Sequence, residues 1–212
     1  MIRIAIAGAG GFGLEALQIV KDIGGYDVVG FLTPDPEGRG VALDNLPVLG
    51  GDERLRTLIA EGVSAIVVAI GQCGVRQRLS HLALELGYAL PTIVHPKSYV
   101  APAVTVGVGA IVYPGAIIMP GCSLSEGVLV NAGVVLGHEV KVGRYSNINP
   151  GAAIAGRVSI GERVLVGIGS RILENCSIGD DAKIGAGAVV LDHIPSGATA
   201  VGVPAVLTGK QG

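Results

Sequence analysis

The stretch Leu124–Lys141, LSEGVLVNAGVVLGHEVK, consists of three six-residue units that each begin with an aliphatic residue. The same spacing continues without an insertion from residue 100 to residue 190. All sixteen positions are Val, Ile or Leu: Val100, Val106, Val112, Ile118, Leu124, Val130, Leu136, Val142, Ile148, Ile154, Ile160, Val166, Ile172, Ile178, Ile184 and Val190. This period is neither the 3.6-residue repeat of a helix nor the alternation of an ordinary strand. It therefore indicates a repeat architecture.

Two further columns define the shape of the repeat. Four residues after each of the first fifteen aliphatic positions stands Val, Ala, Ser or Cys. Three residues after the same aliphatic positions, glycine is frequent. Glycine adopts positive φ easily, so we assign it to a corner. Three units then make a triangular coil of eighteen residues, the arrangement of the hexapeptide β-helix. We predict an all-β, left-handed parallel β-helix of about five coils, each rising by ~4.8 Å.

The composition agrees with such a prism. Of 212 residues, 50% are hydrophobic but only 3% aromatic, because a narrow prism lined by small side chains has no room for rings. Residues 98–125 lack charge and are long enough to span a bilayer, but Pro102, Pro114 and Pro120 interrupt any helix there. We therefore expect no membrane insertion. A net charge of −2 argues against nucleic-acid binding by bulk charge, and we expect a cytoplasmic protein without a leader.

The cysteines follow from the same counting. Cys122 and Cys176 are three coils apart in one inward column, which puts them beyond the ~7 Å that a disulfide allows between α-carbons. With Cys73 the number of cysteines is odd. We expect small core thiols in a reducing compartment.

The first third of the chain is a different domain. Strand patterns at 2–7, 27–32, 65–69 and 89–94 alternate with helical patterns at 14–23, 52–61 and 75–86. Such alternation predicts a small Rossmann-like α/β domain with a parallel sheet. We place this domain at residues 1–94 and the β-helix with its C-terminal cap at residues 95–212.

A glycine-rich loop joins the first strand to the first helix. Gly8, Gly10 and Gly13 satisfy G-x-G-x-x-G, and Gly11 lies between them. The motif fits a phosphate cradle, in which backbone N–H groups approach an anion, somewhat better than a tight turn that needs no ligand. NAD is disfavoured, because the second strand ends at Leu32-Thr33-Pro34 and the first acid is Asp35.

The whole chain resembles the bacterial sugar O- and N-acetyltransferases of the sialic acid and bacillosamine type. The resemblance rests on the glycine loop and on motifs in both domains: Gly30-Phe31-Leu32, Pro47-Val48-Leu49-Gly50, Ala69-Ile70-Gly71 with Arg76, Ile93-Val94-His95-Pro96, Asn131, His138-Glu139, Ala155-Gly156 and Val201-Gly202-Val203-Pro204-Ala205. It implies an acetyl-CoA-dependent acetyltransferase that acts on the amine of a nucleotide-linked amino sugar. It also implies a homotrimer with CoA bound between neighbouring prisms.

The resemblance assigns the catalytic residues. His138 would be the general base, Glu139 would orient its imidazole, and a backbone N–H near Gly156 would meet the thioester oxygen. The counting supports this pairing independently, since His138 and Gly156 are eighteen residues apart and share one corner column. His81, His95 and His193 fit structural positions better.

The family also implies two sets of binding residues. For CoA they are Asn147, Gly156, Ile168, Ala186, Gly202 and Pro204. For the substrate they are Gly8, Gly10, Gly11, Gly13, Asp35, Gly71, Arg76 and Asn131. This chain departs from the family at Thr33 and Pro34, where relatives carry acids, and at Phe12, where a His is common.

Four other functions can be weighed against this one. One is O-acetylation of a sialic-acid-like sugar, and another is acylation of an amino acid or cell-wall precursor, which the glycine-loop domain disfavours. A zinc enzyme would need three imidazoles, but residues 100–190 contain only His138, so we expect no metal. A non-catalytic scaffold would not explain the His138-Glu139 pair.

Overall fold

The computed structural model describes residues 1–34 and 44–208. The chain forms two compact units, Met1–Ile93 and Val94–Gly212. The predicted fold class is confirmed: the first unit is a Rossmann-like α/β domain and the second a left-handed parallel β-helix. The longest helices of the described residues have 13 residues, and none is long and apolar enough to cross a membrane.

The first unit is built on one parallel sheet. Its elements are β1 (Ile2–Ala7), α1 (Gly11–Ile23), β2 (Tyr26–Leu32), β3 (Val48–Gly50), α2 (Leu55–Leu58), β4 (Ala65–Val68) and α3 (Cys73–Glu85). The strand order is β3-β2-β1-β4, and all pairs are parallel. The chain leaves β1 toward β2 and returns on the other side at β4. The carboxyl ends of β1 and β4 thus form a topological switch point, where open α/β sheets bind ligands.

Two predicted elements of this unit are shorter than expected. The helix predicted at 52–61 is a 3-10 turn at Asp52–Arg54 followed by α2. Residues 60–62 then form 3-10-type hydrogen bonds: the N–H groups of Ala60, Glu61 and Gly62 each donate to the carbonyl three residues earlier. In the strand predicted at 89–94, Ala89 makes only an isolated bridge to Ala65. Pro91 follows and has no N–H to continue the ladder. Strand β3 is an edge strand that the sequence pattern did not predict.

The second unit is a prism with three faces. Its strands are β5 (Ile93–Val94), β6 (Tyr99–Val100), β7 (Thr105–Val106), β8 (Ile111–Val112), β9 (Ile117–Ile118), β10 (Ser123–Leu124), β11 (Leu129–Val130), β12 (Val135–Leu136), β13 (Lys141–Val142), β14 (Asn147–Ile148), β15 (Ala153–Ile154), β16 (Ser159–Ile160), β17 (Leu165–Val166), β18 (Arg171–Ile172), β19 (Ser177–Ile178), β20 (Lys183–Ile184), β21 (Val189–Val190), β22 (Thr199–Val201) and β23 (Val206–Thr208). Face I is β19-β16-β13-β10-β7, face II is β23-β22-β20-β17-β14-β11-β8-β5, and face III is β21-β18-β15-β12-β9-β6. The chain visits III, I and II in turn.

Successive coils are in an eighteen-residue register. Lys141 pairs with Ser123 below and Ser159 above, and the same offset holds on the other faces up to β21. From position 112 onward, every residue of the aliphatic column is buried, and the cluster of side chains inside the prism contains no aromatic residue, while the buried rings of Tyr113 and Tyr145 lie outside that cluster. The missing rings are thus explained by the prism. All three cysteines are free, and Cys122 and Cys176 lie buried in that core.

Every corner of the prism uses a left-handed residue. The fifteen positions of the predicted glycine column, from Ala103 to Gly187, all have φ between 54° and 79°. Eight are glycines, whereas the others carry side chains, among them Glu139, Tyr145 and Arg157. Ladder bonds between coils fix twelve of these corners: the N–H of Glu139, for example, donates to the carbonyl of Pro120 at 3.0 Å. The ladder offsets a left-handed penalty of roughly 1–2 kcal/mol per side chain.

Two corner glycines provide a matched test of this packing. A Cβ on Gly127 would overlap the ring of Tyr145, whereas a Cβ on Gly133 would meet no atom within 4 Å. Gly133→Ala should cost about 1–2 kcal/mol from backbone strain alone. Gly127→Ala should cost a further ~1–3 kcal/mol from overpacking. Calorimetric melting at equal protein concentration measures both, and equal losses of stability would contradict the packing.

Candidate active site

His138 lies at the corner between faces III and I, immediately after β12. Its imidazole lies over Gly156 of the next coil: a Cβ built there would be 2.6 Å from Cε1 and 2.9 Å from Cδ2 of His138. Only glycine leaves this space open. The carbonyl of His138 accepts a 2.8 Å hydrogen bond from the N–H of Arg157, which ties the two coils together beside the ring. The predicted pairing of His138 with Gly156 is therefore present in the structure.

Glu139 stands beside the imidazole. Its Oε1 lies 3.4 Å from Nδ1 of His138, and both side chains are at least half exposed. Glu139 occupies a left-handed corner position with φ 60°, and its Cγ would contact a Cβ on Gly121 at 3.0 Å. The aliphatic part of the Glu139 side chain thus lies over a glycine of the coil below. This leaves Nε2 as the ring nitrogen directed to Gly156.

The N–H of Gly156 is the second polar group of this corner. In the described part of the chain it donates no backbone hydrogen bond, while its carbonyl accepts one from Asn175 at 3.1 Å. A free N–H beneath an imidazole can stabilise negative charge that develops on a neighbouring oxygen. The corner therefore offers a base and a hydrogen-bond donor side by side.

The predicted CoA residues gather at a different corner, between faces II and III. Ile168 and Ala186 occupy one column of it, and both are exposed. The register of β20 with β22 puts Gly202 next in that column. The turn from Gly202 to Ala205 is hydrogen-bonded to face III, because the N–H of Ala205 donates to the carbonyl of Val189 at 2.8 Å. Pro204 lies in this turn, so four of the six residues line one edge.

The two asparagines lie on or beside face II and are buried. Asn147 lies in β14, between Leu129 and Leu165 of the neighbouring coils. Asn131 follows β11, and its Nδ2 donates to the carbonyl of Ile148 at 3.1 Å. Neither asparagine lies in the column of residues that stacks through His138 and Gly156.

Face III, which separates these two corners, carries mostly apolar side chains on the outside, with Arg171 of β18 as an exposed exception. Ile117, Met119, Val135, Leu173 and Leu191 are each 37–53% exposed there. A shallow apolar depression lies on its upper part, lined by residues of β15, β18 and β21. At most ~20 Å of extended chain separates the two edges, since six residues lead from one corner to the next.

In the first unit, the four loop glycines have two different roles. A Cβ on Gly8 would overlap the carbonyl oxygen of Ala69, and a Cβ on Gly13 would overlap that of Gly8. Close packing accounts for both. Around Gly10 and Gly11 a Cβ would meet nothing within 4 Å, so no protein atom requires a glycine there. These two lie at the amino end of α1, at the switch point.

The loop after β4 forms the other side of the switch point. A Cβ on Gly71 would lie 2.7 Å from Cε2 of Phe12, so the ring packs directly on this backbone. Arg76 is fully buried, and its Nη1 donates to the carbonyl of Ile70 at 2.6 Å. In the described contacts Arg76 therefore anchors the loop. Asp35 lies outside the described residues.

Sequence reasoning missed the interior support of the His138 corner. The Sγ of Cys122 donates to the carbonyl of Gly137 at 3.0 Å. Burial raises the pKa of this thiol. The only signal in the sequence is that Cys122 sits in the inward column one coil below His138. Within the described ranges, no group of three or more His, Cys, Asp or Glu residues is placed to hold a metal.

Comparisons with known proteins agree with this arrangement. Residues 3–82 match the PglD N-terminal domain, and residues 157–192 match the bacterial transferase hexapeptide repeat. A search of curated proteins gave no match. PerB from Caulobacter crescentus, solved with CoA and GDP-perosamine, is 33% identical with a TM-score of 0.91, covering 97% of each chain.

A second solved structure has the same two-domain organisation. The acetyltransferase domain of PglB from Neisseria gonorrhoeae is 31% identical with a TM-score of 0.92, covering 98% of this chain and 100% of that one. The same domain has been solved with acetyl coenzyme A. The chain belongs to this family of bacterial sugar N-acetyltransferases. The resemblance seen in the sequence is confirmed.

The space over Gly156 can be tested by filling it. Gly156→Ala should lower kcat for acetyl transfer by about 100-fold, since a displacement of ~1 Å at the reacting groups has that effect. The melting temperature should change little, because the displaced imidazole is half exposed. Gly74→Ala, where a Cβ meets no atom within 4 Å, is the control. A Gly156→Ala enzyme with more than half the wild-type kcat would contradict the assignment.

Proposed function

We propose that the protein transfers the acetyl group of acetyl-CoA to the amine of a nucleotide-linked amino sugar. The observation that carries the proposal is the imidazole of His138 over the glycine corner at Gly156. PerB, a relative with the same two units, was crystallised with CoA and GDP-perosamine, an amino sugar on a nucleotide. A histidine-to-asparagine variant of perosamine N-acetyltransferase was crystallised with the same two ligands.

The chemistry needs one proton acceptor and one oxyanion donor. The acceptor amine attacks the thioester carbonyl carbon while Nε2 of His138 removes a proton from the nitrogen. The carbonyl oxygen becomes negative and is met by the N–H of Gly156. When the tetrahedral intermediate collapses, the C–S bond breaks, and the CoA sulfur takes the proton back from Nε2. Acid–base catalysis of this kind contributes ~10²–10⁴-fold.

Glu139 orients the base. With its Oε1 at 3.4 Å from Nδ1, the carboxylate favours the tautomer that carries hydrogen on Nδ1 and leaves Nε2 free to accept. It also stabilises the imidazolium while the proton is held. The role matches that of the acid in a hydrolase triad, in which the carboxylate fixes the tautomer.

The CoA residues indicate a site made by two copies. Ile168, Ala186, Gly202 and Pro204 lie on one edge of face III, and His138 lies on the other. If three prisms turn face III toward a common axis, the His138 edge of each copy meets the Ile168 edge of the next. The exposed apolar side chains of face III would be buried by this arrangement. We therefore propose a homotrimer with CoA between neighbouring prisms and Asn147 supporting the groove.

The nucleotide belongs to the first unit in this proposal. Gly10 and Gly11 leave an open approach to the amino end of α1, which carries no acidic residue in its first turn. Backbone N–H groups and the helix dipole there suit a diphosphate. Gly8, Gly13, Gly71 and Arg76 hold the loops around it, and Asp35 and Asn131 are further proposed contacts. The free cysteines are consistent with a cytoplasmic location.

The acceptor class and the base can be tested in one assay. CoA release is measured with amino sugars linked to GDP or UDP, and with free sialic acid as the hydroxyl acceptor. Nucleotide-linked amines should support turnover, and His138→Ala should lower kcat by at least ~100-fold, because positioned acid–base catalysis contributes about that much. Binding of CoA and the oligomeric state should survive. Turnover with sialic acid alone, or near-wild-type turnover without His138, would overturn the proposal.

The two-copy site is tested by complementation. His138→Ala removes the base from one edge, and Ala186→Trp blocks the groove on the other edge. Each variant alone should be inactive. Co-expressed with separate tags, random trimers should regain about a quarter of wild-type activity, because one site in four combines two intact edges. A site contained within one chain would give no recovery, and two differently tagged His138→Ala copies are the control.

A further inference from the structure

The peptide between Gly137 and His138 is packed from both sides. A Cβ on Gly137 would lie 2.8 Å from the carbonyl carbon of Ala155 and 2.8 Å from the N of Gly156. The coil above therefore rests directly on this peptide. From inside the prism, the thiol of Cys122 donates to the carbonyl of Gly137 at 3.0 Å. The peptide that carries the imidazole is thus fixed by one contact above and one below.

The thiol is suited to this contact. Cys122 is only 2% exposed, so no water competes for the carbonyl from this side. Burial also raises the pKa of the thiol, which keeps the sulfur protonated and able to donate. Without the thiol, the Gly137 carbonyl would face an apolar interior, where an unpaired acceptor is destabilising.

A second corner shows the same device with a different donor. The hydroxyl of Ser146 donates to the carbonyl of Gly161 at 2.7 Å, again fifteen residues ahead. Of the fifteen positions in this inward column, six carry Val and five carry Ala, which have no donor. Packing alone therefore does not require a thiol at position 122. Cys122 differs from the other residues of the column because its thiol supports the peptide that precedes His138.

We infer that Cys122 is a positioning residue, whose thiol holds the Gly137–His138 peptide so that the imidazole stays over Gly156. The inference rests on the proposed function of His138 as the base. When the donor is lost, the Gly137 carbonyl turns to find another partner. The turn moves the ring away from the N–H of Gly156, so the base and the oxyanion donor no longer act on one acetyl group.

Two substitutions separate the hydrogen bond from the volume of the side chain. Cys122→Val places the commonest residue of the column there without a donor, and we expect kcat to fall about tenfold with KM for acetyl-CoA within about twofold. Cys122→Ser keeps a donor, and its kcat should stay within about twofold of the wild type. Cys176→Val, in the same column three coils higher, should leave kcat unchanged. A purely structural role would affect Cys122→Val and Cys176→Val alike.

Crystal structures of Cys122→Val and Cys122→Ser complete the test, and they do not depend on the acceptor. The ring should be displaced from Gly156 in the Val variant and retained in the Ser variant. An undisplaced ring in Cys122→Val, or equal kcat losses in the Val and Ser variants, would overturn the inference. If the wild type fails to acetylate any nucleotide-linked amine, the proposed function fails, while these structures still decide the role of Cys122.

Discussion

The ladder of backbone hydrogen bonds between left-handed corners is the constraint on which this molecule depends. At twelve of the fifteen corners the residue with positive φ donates its N–H to a carbonyl of the coil below, as Arg163 does to Arg144 at 2.8 Å. The ladder leaves no freedom in register, because each coil from β6 to β21 contains eighteen residues. A residue therefore stacks on the residue eighteen positions later. The approach of His138 to Gly156 is one instance of this rule.

The rule also explains which corners carry side chains. Glycine would adopt the left-handed conformation at less cost, so a side chain there needs a compensating contact. Such contacts are present: Glu139 lies beside His138, Tyr145 donates to Glu126, and Arg157 donates to Asn175. Arg163 pairs with Asp181 and lowers the pKa of that carboxyl. Most of these contacts tie one coil to the next, whereas Glu139 serves the neighbouring imidazole.

The sequence predicted what depends on backbone register. The inward column, the corner glycines and the stacking of His138 on Gly156 all follow from counting in eighteens, and the structure contains each of them. Contacts that depend on side-chain direction could not be predicted. The bond from Cys122 to Gly137 needs the carbonyl direction inside a corner. The different roles of Gly8 and Gly10 need the positions of Ala69 and Ile70, which are sixty residues away in sequence.

The fixed register limits the insertions that this chain can accept during evolution. One residue inserted between His138 and Gly156 would break the ladder and separate the imidazole from the N–H of Gly156, and six would move Gly156 to another corner. A whole coil added near either end of the prism would leave the pair intact and change only the length of the molecule. Lineages of such proteins can therefore vary in the number of coils, while the spacing between His138 and Gly156 stays at eighteen.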